Sequence, residues 1–298
     1  MNTVKGRMKA KGGAEAMTLP IIFMHRGDDD YLTYSLRQAK LSNPHSPVYL
    51  LGKVTNRKFA TAGIIHELMD YHMVTAQSFA KVYQHMHVMS YEYNLFCFQR
   101  WFILRDFMRK RGMQSCFYVD SDVMLYTNVS NPEFRPFSME FAWTSFVGID
   151  TLDRFCNLMM KYFVNPSLFR QLVQITIEYD QVINGVPLVS DMVLCLLYFR
   201  HYSGQTHTHG TFGDSFFDEN INRPLWAEAL ADKKKVYVNQ GLLYCKDLTS
   251  GSYKRINSLH FQGLESKNFM HDFLFSNIPQ STGAQYYDYL TGQWTPVM

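Results

Sequence analysis

A long apolar helix followed at once by a buried strand that ends in acidic residues constrains this chain more than any other feature. Apolar side chains recur on one face of residues 94–111, and a basic cluster at the end of this segment lies where the helix dipole favours cations. Residues 115–119, "SCFYV", are typical of the strand that such a helix leads into. Ligands of open α/β sheets bind at the carboxyl edge of the strands. The sequence therefore predicts that Asp120, Ser121 and Asp122 lie at a ligand-binding edge.

The first 55 residues predict the same kind of sheet. Residues 19–24 are typical of a buried strand, a polar break follows, and apolar positions at helical spacing then run up to Pro44. An aspartate among residues 28–30 is expected to cap this helix. Residues 46–53 form a second strand in this interpretation, and strand, helix, strand in succession indicates a Rossmann-like parallel α/β sheet.

The second half of the chain is less regular. Helical patterns occur at residues 151–163, 167–179 and 190–202, and residues 235–263 alternate like a β-hairpin with the turn "TSGS". No internal repeat or low-complexity linker separates the halves. We therefore expect one continuous α/β domain at residues 17–298, with a mixed, mostly parallel central sheet flanked by helices.

Composition narrows the class of protein. Of the 298 residues 47% are hydrophobic and 18% charged, which is typical of a packed globular chain. The whole net charge of +3 lies in residues 1–16, which we expect to be a flexible basic tail, so the body has no basic excess for nucleic acid. The tail allows peripheral contact with an anionic membrane, although four basic residues are thin support.

The sequence contains no 18-residue apolar run and no apolar signal core, which argues against a membrane span and a secretion signal. The five cysteines are scattered and odd in number, as expected for reduced thiols. These features together predict a cytoplasmic protein.

Two carboxylates separated by one small residue admit several functions. Asp120 and Asp122 are hard oxygen ligands that could hold Mg²⁺ or Mn²⁺ together with the phosphates of a substrate. The same residues could form a turn that caps the next element. Asp120 could also be the phosphorylated nucleophile of a haloacid-dehalogenase-like phosphohydrolase, although Val123 and Met124 replace the glycine and threonine that this family expects.

Three motifs together resemble the GT-A glycosyltransferases of the glycogenin and bacterial galactosyltransferase type. They are "DSD" after an apolar strand, Arg100 in the preceding helix, and "LHFQG" with Lys267 downstream, which is one residue later than in the family signature. The resemblance implies a Rossmann-like GT-A domain with a nucleotide-sugar-binding half at 17–130 and an acceptor-binding half at 131–298.

The resemblance also implies site residues and cofactors. Asp120 would contact the donor ribose and the metal, and Lys267 would neutralise the diphosphate leaving group. The implied ligands of Mn²⁺ or Mg²⁺ are Asp120, Asp122 and His260. The implied donor-binding residues are His25, Arg26, Arg100, Asp120, Ser121, Gly263 and Lys267.

Two segments compete for the place beside the reacting sugar. Asp191 opens a predicted helix, where a carboxylate could act as a base or simply cap the helix. Asp180 and Gln181 in "EYDQVIN" resemble a segment that lines the sugar site of the retaining relatives. Arg100 and His260 have plain alternatives as a snorkelling arginine and a strand-end histidine. The loop histidines 207–209 lack a matched third metal ligand.

These observations predict a metal-dependent glycosyltransferase that moves a sugar from a nucleotide diphosphate, expected to be a UDP-sugar, to the hydroxyl of a glycan, a lipid or another acceptor. The alternatives are the Asp120 phosphohydrolase and a GT-A-like binding module without catalysis. The stereochemistry of transfer, the sugar and the acceptor stay open.

Overall fold

The protein is described by a computed structural model that covers residues 18–61, 63–134, 141–202, 204 and 210–297. The predicted basic tail at 1–16 and the histidines at 207–209 lie outside these residues. The division into a 17–130 half and a 131–298 half stays a prediction.

Strands and helices alternate in the first half, and strands dominate the end of the chain. The strands are β1 (Ile21–His25), β2 (Val48–Gly52), β3 (Ile64–Leu68), β4 (Ser115–Val119), β5 (Val123–Leu125), β6 (Thr144–Gly148), β7 (Val182–Ile183), β8 (Val186–Pro187), β9 (Thr211–Phe212), β10 (Ser215–Phe217), β11 (Ala229–Leu230), β12 (Lys233–Lys234), β13 (Val236–Asn239), β14 (Leu242–Lys246), β15 (Tyr253–His260), β16 (Gln285–Asp288) and β17 (Gln293–Pro296). The helices are α1 (Leu32–Ser42), α2 (Val74–Ala80), α3 (Tyr91–Lys110), α4 (Ile149–Val164), α5 (Pro166–Glu178), α6 (Asp191–Tyr202) and α7 (Leu264–Lys267).

The central sheet has the strand order β3-β2-β1-β4-β6. Strands β3, β2, β1 and β4 are parallel to their neighbours, and β6 runs antiparallel to β4. Alternate residues of β1 face opposite layers: Ile22 packs in a cluster with α3 and α4, whereas Ile21 packs with α1. The prediction of a mixed, mostly parallel sheet flanked by helices is confirmed.

A second sheet is mostly antiparallel, with the order β17-β16-β13-β14-β15-β10-β9. The predicted hairpin at 235–263 is in fact the three strands β13, β14 and β15, because a further turn follows β13. Strand β5 also pairs with β15 in this sheet. Because β5 directly follows the acidic turn after β4, this pairing joins the two sheets beside Asp120 and Asp122.

The expected capping of α1 by an aspartate is wrong. The N-cap of α1 is Tyr31, and no side chain accepts a hydrogen bond there. Asp29 contacts His25 instead, and Asp28 and Asp30 pair with Lys58. The three carboxylates thus contact one lysine and one imidazole, and none of them caps the first backbone amides of α1.

Across the part of the chain that the structure describes, no helix combines the length and the apolar character that crossing a membrane requires.

Candidate metal and nucleotide site

A tight turn presents the two carboxylates at the carboxyl end of β4. The amide of Val123 donates a hydrogen bond to the Asp120 carbonyl oxygen at 3.1 Å, which closes the turn between β4 and β5. The Asp120 amide is held by the carbonyl oxygen of Trp143 at 2.9 Å. Asp120, Ser121 and Asp122 therefore lie at the sheet edge predicted from the sequence.

Pairing of β5 with β15 brings His260 to this turn. His260 is opposite Val123 in the antiparallel register, and the amide of Phe261 donates to the Asp122 carbonyl oxygen at 2.9 Å. The His260 Nε2 atom lies 3.3 Å from Asp122 Oδ1. Residues far apart in sequence thus converge because a short strand links the acidic turn to the second sheet.

Asp120, Asp122 and His260 offer ligand atoms that all lie within 4.8 Å of one another. The Nδ1 atom of His260 lies 2.7 Å from the Glu219 carbonyl oxygen, so Nδ1 carries the proton and Nε2 is left as the ligand atom. Two carboxylates with one imidazole form a borderline donor set that suits Mn²⁺ better than Mg²⁺. These residues could hold one divalent cation.

A buried ion pair supports this histidine from behind. Asp218 and Lys234 are 2.9 Å apart with both side chains almost fully buried, and Asp218 Oδ2 accepts a hydrogen bond from the His260 amide at 3.1 Å. Lys234 Nζ also donates to the carbonyl oxygen of Asn220 at 2.7 Å. The pair therefore fixes the segment that carries the Glu219 carbonyl, and with it the orientation of the imidazole.

Lys267 reaches the second carboxylate from the short helix α7. The chain leaves β15 through Gly263, whose φ of 91° lies in the region that favours glycine, and then forms α7. Lys267 Nζ lies 2.9 Å from Asp122 Oδ2 and 4.9 Å from the centre of the Tyr31 ring. The backbone conformation of Gly263 therefore turns the chain into α7, and this turn places Lys267 over Asp122.

Arg100 joins the first carboxylate to Asp191. Its guanidinium donates to Asp120 Oδ1 at 2.7 Å and to Asp191 Oδ2 at 2.6 Å, and its side chain is only 10% exposed. Tyr118 donates to the same Asp120 oxygen at 2.9 Å, and the Trp101 indole donates to Asp191 at 2.9 Å. Arg100 is thus a buried cation fixed between two carboxylates.

The two carboxylates differ in acidity. Burial raises the pKa of Asp120, and the nearby charge of Arg100 offsets this only in part. Burial opposes the ionisation of Asp122 as well, but His260 and Lys267 outweigh it and lower the pKa of Asp122 below its usual range. Burial alone would lower the pKa of His260, whereas Asp122 raises it overall.

Ser121, the middle residue of the turn, lies in a separate polar network. Its hydroxyl is 3.0 Å from His25 Nδ1 and 3.2 Å from the Tyr31 hydroxyl. The other ring nitrogen of His25 lies 2.8 Å from Asp29 Oδ2. Burial lowers the pKa of His25, and Asp29 only partly compensates, so the imidazole is neutral at pH 7. The carboxyl ends of β1 and β4 therefore meet at Ser121.

Other predicted residues are not brought to the acidic turn. Arg26 donates to the Glu92 carbonyl oxygen at 3.0 Å and lies over the Phe96 ring. Asp180 and Gln181 are exposed at the base of the β7–β8 hairpin, and the hydrogen bonds found among the described residues link neither side chain to the acidic turn.

Asp191 lies near the acidic turn, but in different surroundings from those expected. Its side chain is 3% exposed, and one of its oxygens accepts three N–H donors from Arg100 and Trp101. The predicted helix start is capped by Ser190, whose hydroxyl lies 3.4 Å from the Val193 amide. Asp191 thus contacts Arg100 and Trp101 through one oxygen, and its role as a base or beside the transferred sugar stays a prediction.

Several residues of the site escaped sequence reasoning. Tyr118 could have been found from the period of two along β4, which puts it on the same face as Asp120. Asp29 and Tyr31 follow β1 in a segment interpreted only as a helix start. The Asp218–Lys234 pair has no local signal, because it depends on how β10 and β12 pack beside β15.

No protein-family model matches the sequence, and no curated protein is significantly similar to it. Solved structures do match. Mouse xyloside xylosyltransferase 1 in its apo form is 11% identical, with 62% of this chain and 83% of that chain covered and a TM-score of 0.44. An active-site mutant of LgtC, a galactosyltransferase, is 12% identical, with 83% and 88% covered and a TM-score of 0.43.

A third match is the glycosyltransferase GlyE of Streptococcus pneumoniae TIGR4, at 10% identity and a TM-score of 0.36, with 69% of this chain and 47% of that chain covered. The names of these three proteins describe a xylosyltransferase, a galactosyltransferase and a glycosyltransferase. Similarity at this level carries no information on donor, acceptor or metal, which must be argued from the residues of this chain.

Proposed function

We propose that this protein is a metal-dependent glycosyltransferase that binds a nucleoside diphosphate sugar, with a UDP-sugar as the expected donor, at the acidic turn. The observation that carries the proposal is the convergence of Asp120, Asp122 and His260 within 4.8 Å, with the Lys267 ammonium 2.9 Å from Asp122. Two carboxylates, an imidazole and an ammonium are the groups that hold a divalent cation and a diphosphate together.

The charges of the site fit the departure of a nucleoside diphosphate. When a glycosidic bond to the diphosphate breaks, negative charge develops on the leaving oxygen, and a bound divalent cation supplies Lewis-acid stabilisation there. Lys267 adds a fixed positive charge from α7 on the other side of Asp122. Asp120, Asp122 and His260 would hold the cation, and the Lys267 ammonium is already held by the fold beside Asp122.

The inner half of the site is built to position the donor. Arg100 is neutralised on one side by Asp191, so its remaining contact fixes Asp120 in one orientation. The imidazole of His25 and the hydroxyls of Ser121 and Tyr31 form a polar patch beside it, with the Asp29 carboxylate on the other ring nitrogen of His25. Hydroxyl, imidazole and carboxylate groups suit the hydroxyls of a ribose and the polar edge of a base.

The test is thermal unfolding with UDP in the presence and absence of Mn²⁺. We expect UDP to raise the melting temperature of the wild-type protein only with the metal present, because a ligand that binds the native state alone stabilises it by mass action. Asp122→Asn should abolish this rise. Asp150→Asn, which changes an exposed acidic residue of α4, is the matched control and should keep it. Protection by UDP that is independent of metal would contradict the proposal.

A second measurement identifies the chemistry. Nucleotide sugars incubated with the protein and Mn²⁺ should be hydrolysed slowly to UDP and free sugar, or consumed faster with a hydroxyl acceptor. Release of inorganic phosphate from phosphomonoesters, with phosphate trapped on Asp120, would favour the phosphohydrolase instead. Metal-dependent UDP binding without turnover of any donor would leave a binding module.

A further inference from the structure

A basic cavity lies at one edge of the central sheet. Strand β3 ends the strand order on this side, and β2 is its only partner among the strands that the structure describes. The cavity beside β3 has a volume of about 540 Å³, which is within the range of small-molecule sites. We call it the edge cavity. The charged and polar residues that line it are Arg57, His66, Glu67, Tyr71, Lys110 and Arg111.

The three cations of the edge cavity come from two distant parts of the chain. Lys110 ends α3 and Arg111 follows it, at a position where the helix dipole by itself favours positive side chains. Arg57 belongs to the 3₁₀ helix Val54–Phe59 after β2, so the dipole of α3 does not account for its presence. Like charges that converge on one cavity repel one another, and a bound anion relieves this repulsion.

The three cations differ in their partners. Arg111 pairs with Glu67, which is 8% exposed, and the other oxygen of Glu67 lies 2.8 Å from His72 Nε2. This chain of contacts holds Arg111 from inside the protein. Neither Arg57 nor Lys110 forms an ion pair with a carboxylate of the described residues. Two of the three cations thus line the cavity without a negative partner in that part of the chain.

Acidic residues near the edge cavity are bound elsewhere or exposed to solvent. Asp106, one turn earlier on α3, accepts a hydrogen bond from the Thr75 hydroxyl at 2.6 Å and lies 3.4 Å from the Arg105 guanidinium. Asp70 is exposed and is not among the lining residues. With the histidine counted as neutral, three cations and the Glu67 carboxylate leave the lining with a net charge of +2. The end of α3 offsets only about half a charge of this.

The charge and the walls of the edge cavity favour a phosphate ester. A phosphate monoester carries about −1.5 to −2 charges at pH 7, close to the opposite of the charge of the lining, whereas a carboxylate carries only one. Guanidinium groups also bind phosphate through two parallel hydrogen bonds. Tyr71 is 64% exposed, and Lys110 Nζ lies 5.2 Å from the centre of its ring. The ring therefore stands beside a cation, where it can contact the organic part of such an ester.

We propose that the edge cavity binds a small phosphate monoester, with its three cations around the phosphate and the Tyr71 ring against the organic group. The site is separate from the acidic turn, because Lys110 is ten residues after Arg100, which corresponds to about 15 Å along α3. None of the lining residues is an implied metal ligand, so binding here needs no divalent cation. The inference is therefore independent of the glycosyl transfer proposed above.

The experiment is isothermal titration of the full chain, freed of metal on a chelating resin, with glucose 6-phosphate as the ligand and glucose as its uncharged match. We expect a dissociation constant of about 0.1–1 mM for the ester, because exposed charges are screened by solvent, and no measurable binding of glucose. Arg57→Gln and Lys110→Gln should each weaken binding of the ester by about five- to tenfold.

The matched control is Arg109→Gln, which removes the same charge from the same end of α3. Arg109 pairs with Asp153 at 2.7 Å and is not among the residues that line the cavity. Its substitution should weaken binding by less than about twofold. No binding of the ester, equal binding of glucose, or equal losses in Arg57→Gln and Arg109→Gln would overturn the inference.

Two further titrations locate the ligand. Inorganic phosphate should bind the wild type several-fold more weakly than the ester does, and Tyr71→Ser should remove this difference. Equal affinities in the wild type would overturn the contact with the organic group. Loss of ester binding in Lys267→Met, with binding kept in Arg57→Gln, would place the ester at the acidic turn and overturn the separate site.

Sedimentation with vesicles that contain phosphatidic acid tests a lipid source of the same phosphate group. Vesicle binding that is lost in Arg57→Gln, without binding of glucose 6-phosphate, would assign the cavity to a lipid headgroup and overturn the soluble ligand. Absence of vesicle binding would support the soluble ligand.

UDP also ends in a phosphate group, so its binding must be separated from that of the ester. At micromolar concentration UDP should occupy the acidic turn alone, and its metal-dependent binding should be the same in Arg57→Gln and the wild type. If UDP fails to bind with Mn²⁺ while the ester binds, the proposed function fails and the edge cavity stands.

Discussion

Asp120 and Asp122 lie two residues apart but belong to opposite surroundings. Asp120 faces the parallel sheet and α3, where Arg100, Tyr118 and Asp191 form a buried hydrogen-bonded network with it. Asp122 faces the antiparallel sheet, where two cationic or ionisable partners, His260 and Lys267, reach it from β15 and α7. Asp120, which we call the inner carboxylate, is thus held by Arg100 and Tyr118. Asp122, the outer carboxylate, is held by His260 and Lys267, which would also contact the proposed metal and diphosphate.

This difference predicts that one side of the site contributes mainly to stability and the other mainly to ligand binding. Changes on the inner side should act first on stability, because they leave charges buried without partners. Changes to His260 and Lys267 should act first on ligand binding, because these groups contact Asp122 and would also contact the cation and the diphosphate. The predictions below test this division, starting with the largest expected effect.

Arg100→Met should cost about 3–5 kcal/mol of unfolding free energy, because it leaves the almost fully buried Asp191 without its cation. Urea denaturation measures this loss. The matched control is Arg109→Met in the same helix, whose partner Asp153 lies 2.7 Å away but whose own side chain is 55% exposed. The control should cost about 1 kcal/mol or less. Equal costs for the two variants would contradict the view of Arg100 as a buried structural cation.

Lys267→Met should weaken UDP binding by about 10- to 100-fold, the effect of losing a charge-assisted hydrogen bond to a phosphate. The same variant should bind Mn²⁺ without nucleotide at least as tightly as the wild type, because Lys267 and the metal compete for Asp122. Titration calorimetry measures both affinities. Weaker Mn²⁺ binding and unchanged UDP binding would assign Lys267 a purely structural role.

The two carboxylates should give the fold opposite pH dependences. The pKa of Asp122 is lowered on folding, so its ion pairs stabilise the protein above the unfolded-state pKa of about 4, and this stability is lost as the pH falls through the folded-state value. The pKa of Asp120 is raised, so its ionisation costs stability above the folded-state pKa, and this cost is relieved as the pH falls.

Urea unfolding of the metal-free protein between about pH 3 and pH 6 measures both pH dependences. Each unit of difference between the folded-state and unfolded-state pKa changes the unfolding free energy by about 1.4 kcal/mol. As the pH falls, the stability of the wild type relative to Asp122→Asn should decrease, and its stability relative to Asp120→Asn should increase. Parallel slopes for the two variants would show that the carboxylates share one environment.

The sequence predicts the parallel half of the fold better than the rest. Helical and strand periodicities are local, and they located α3, β4 and the acidic turn at the sheet edge. The β7–β8 hairpin was missed although Asn184-Gly185 is a strong local turn signal. The pairing of β5 with β15 has no local signal, so only the family resemblance indicated that His260 belongs beside Asp122.

Asp191 marks the limit of sequence reasoning within the site. Its position at the start of a helix was predicted, and α6 does begin there. The pattern could not tell whether the carboxylate faces a cleft or a buried guanidinium, because that depends on how α6 packs against α3. The division between residues that hold the site and residues that meet the ligand is a property of packing and charge in three dimensions.

Direct binding of Mn²⁺, followed by electron paramagnetic resonance of the free ion, tests the central claim most directly. The wild type should bind one Mn²⁺ per chain, more tightly with UDP present, and Asp122→Asn should lose at least about 100-fold in affinity, because it removes a ligand along with the negative charge that faces the cation. Asp150→Asn should bind as the wild type does. Equal Mn²⁺ affinity in the wild type and Asp122→Asn, or UDP binding that ignores the metal, would contradict the account.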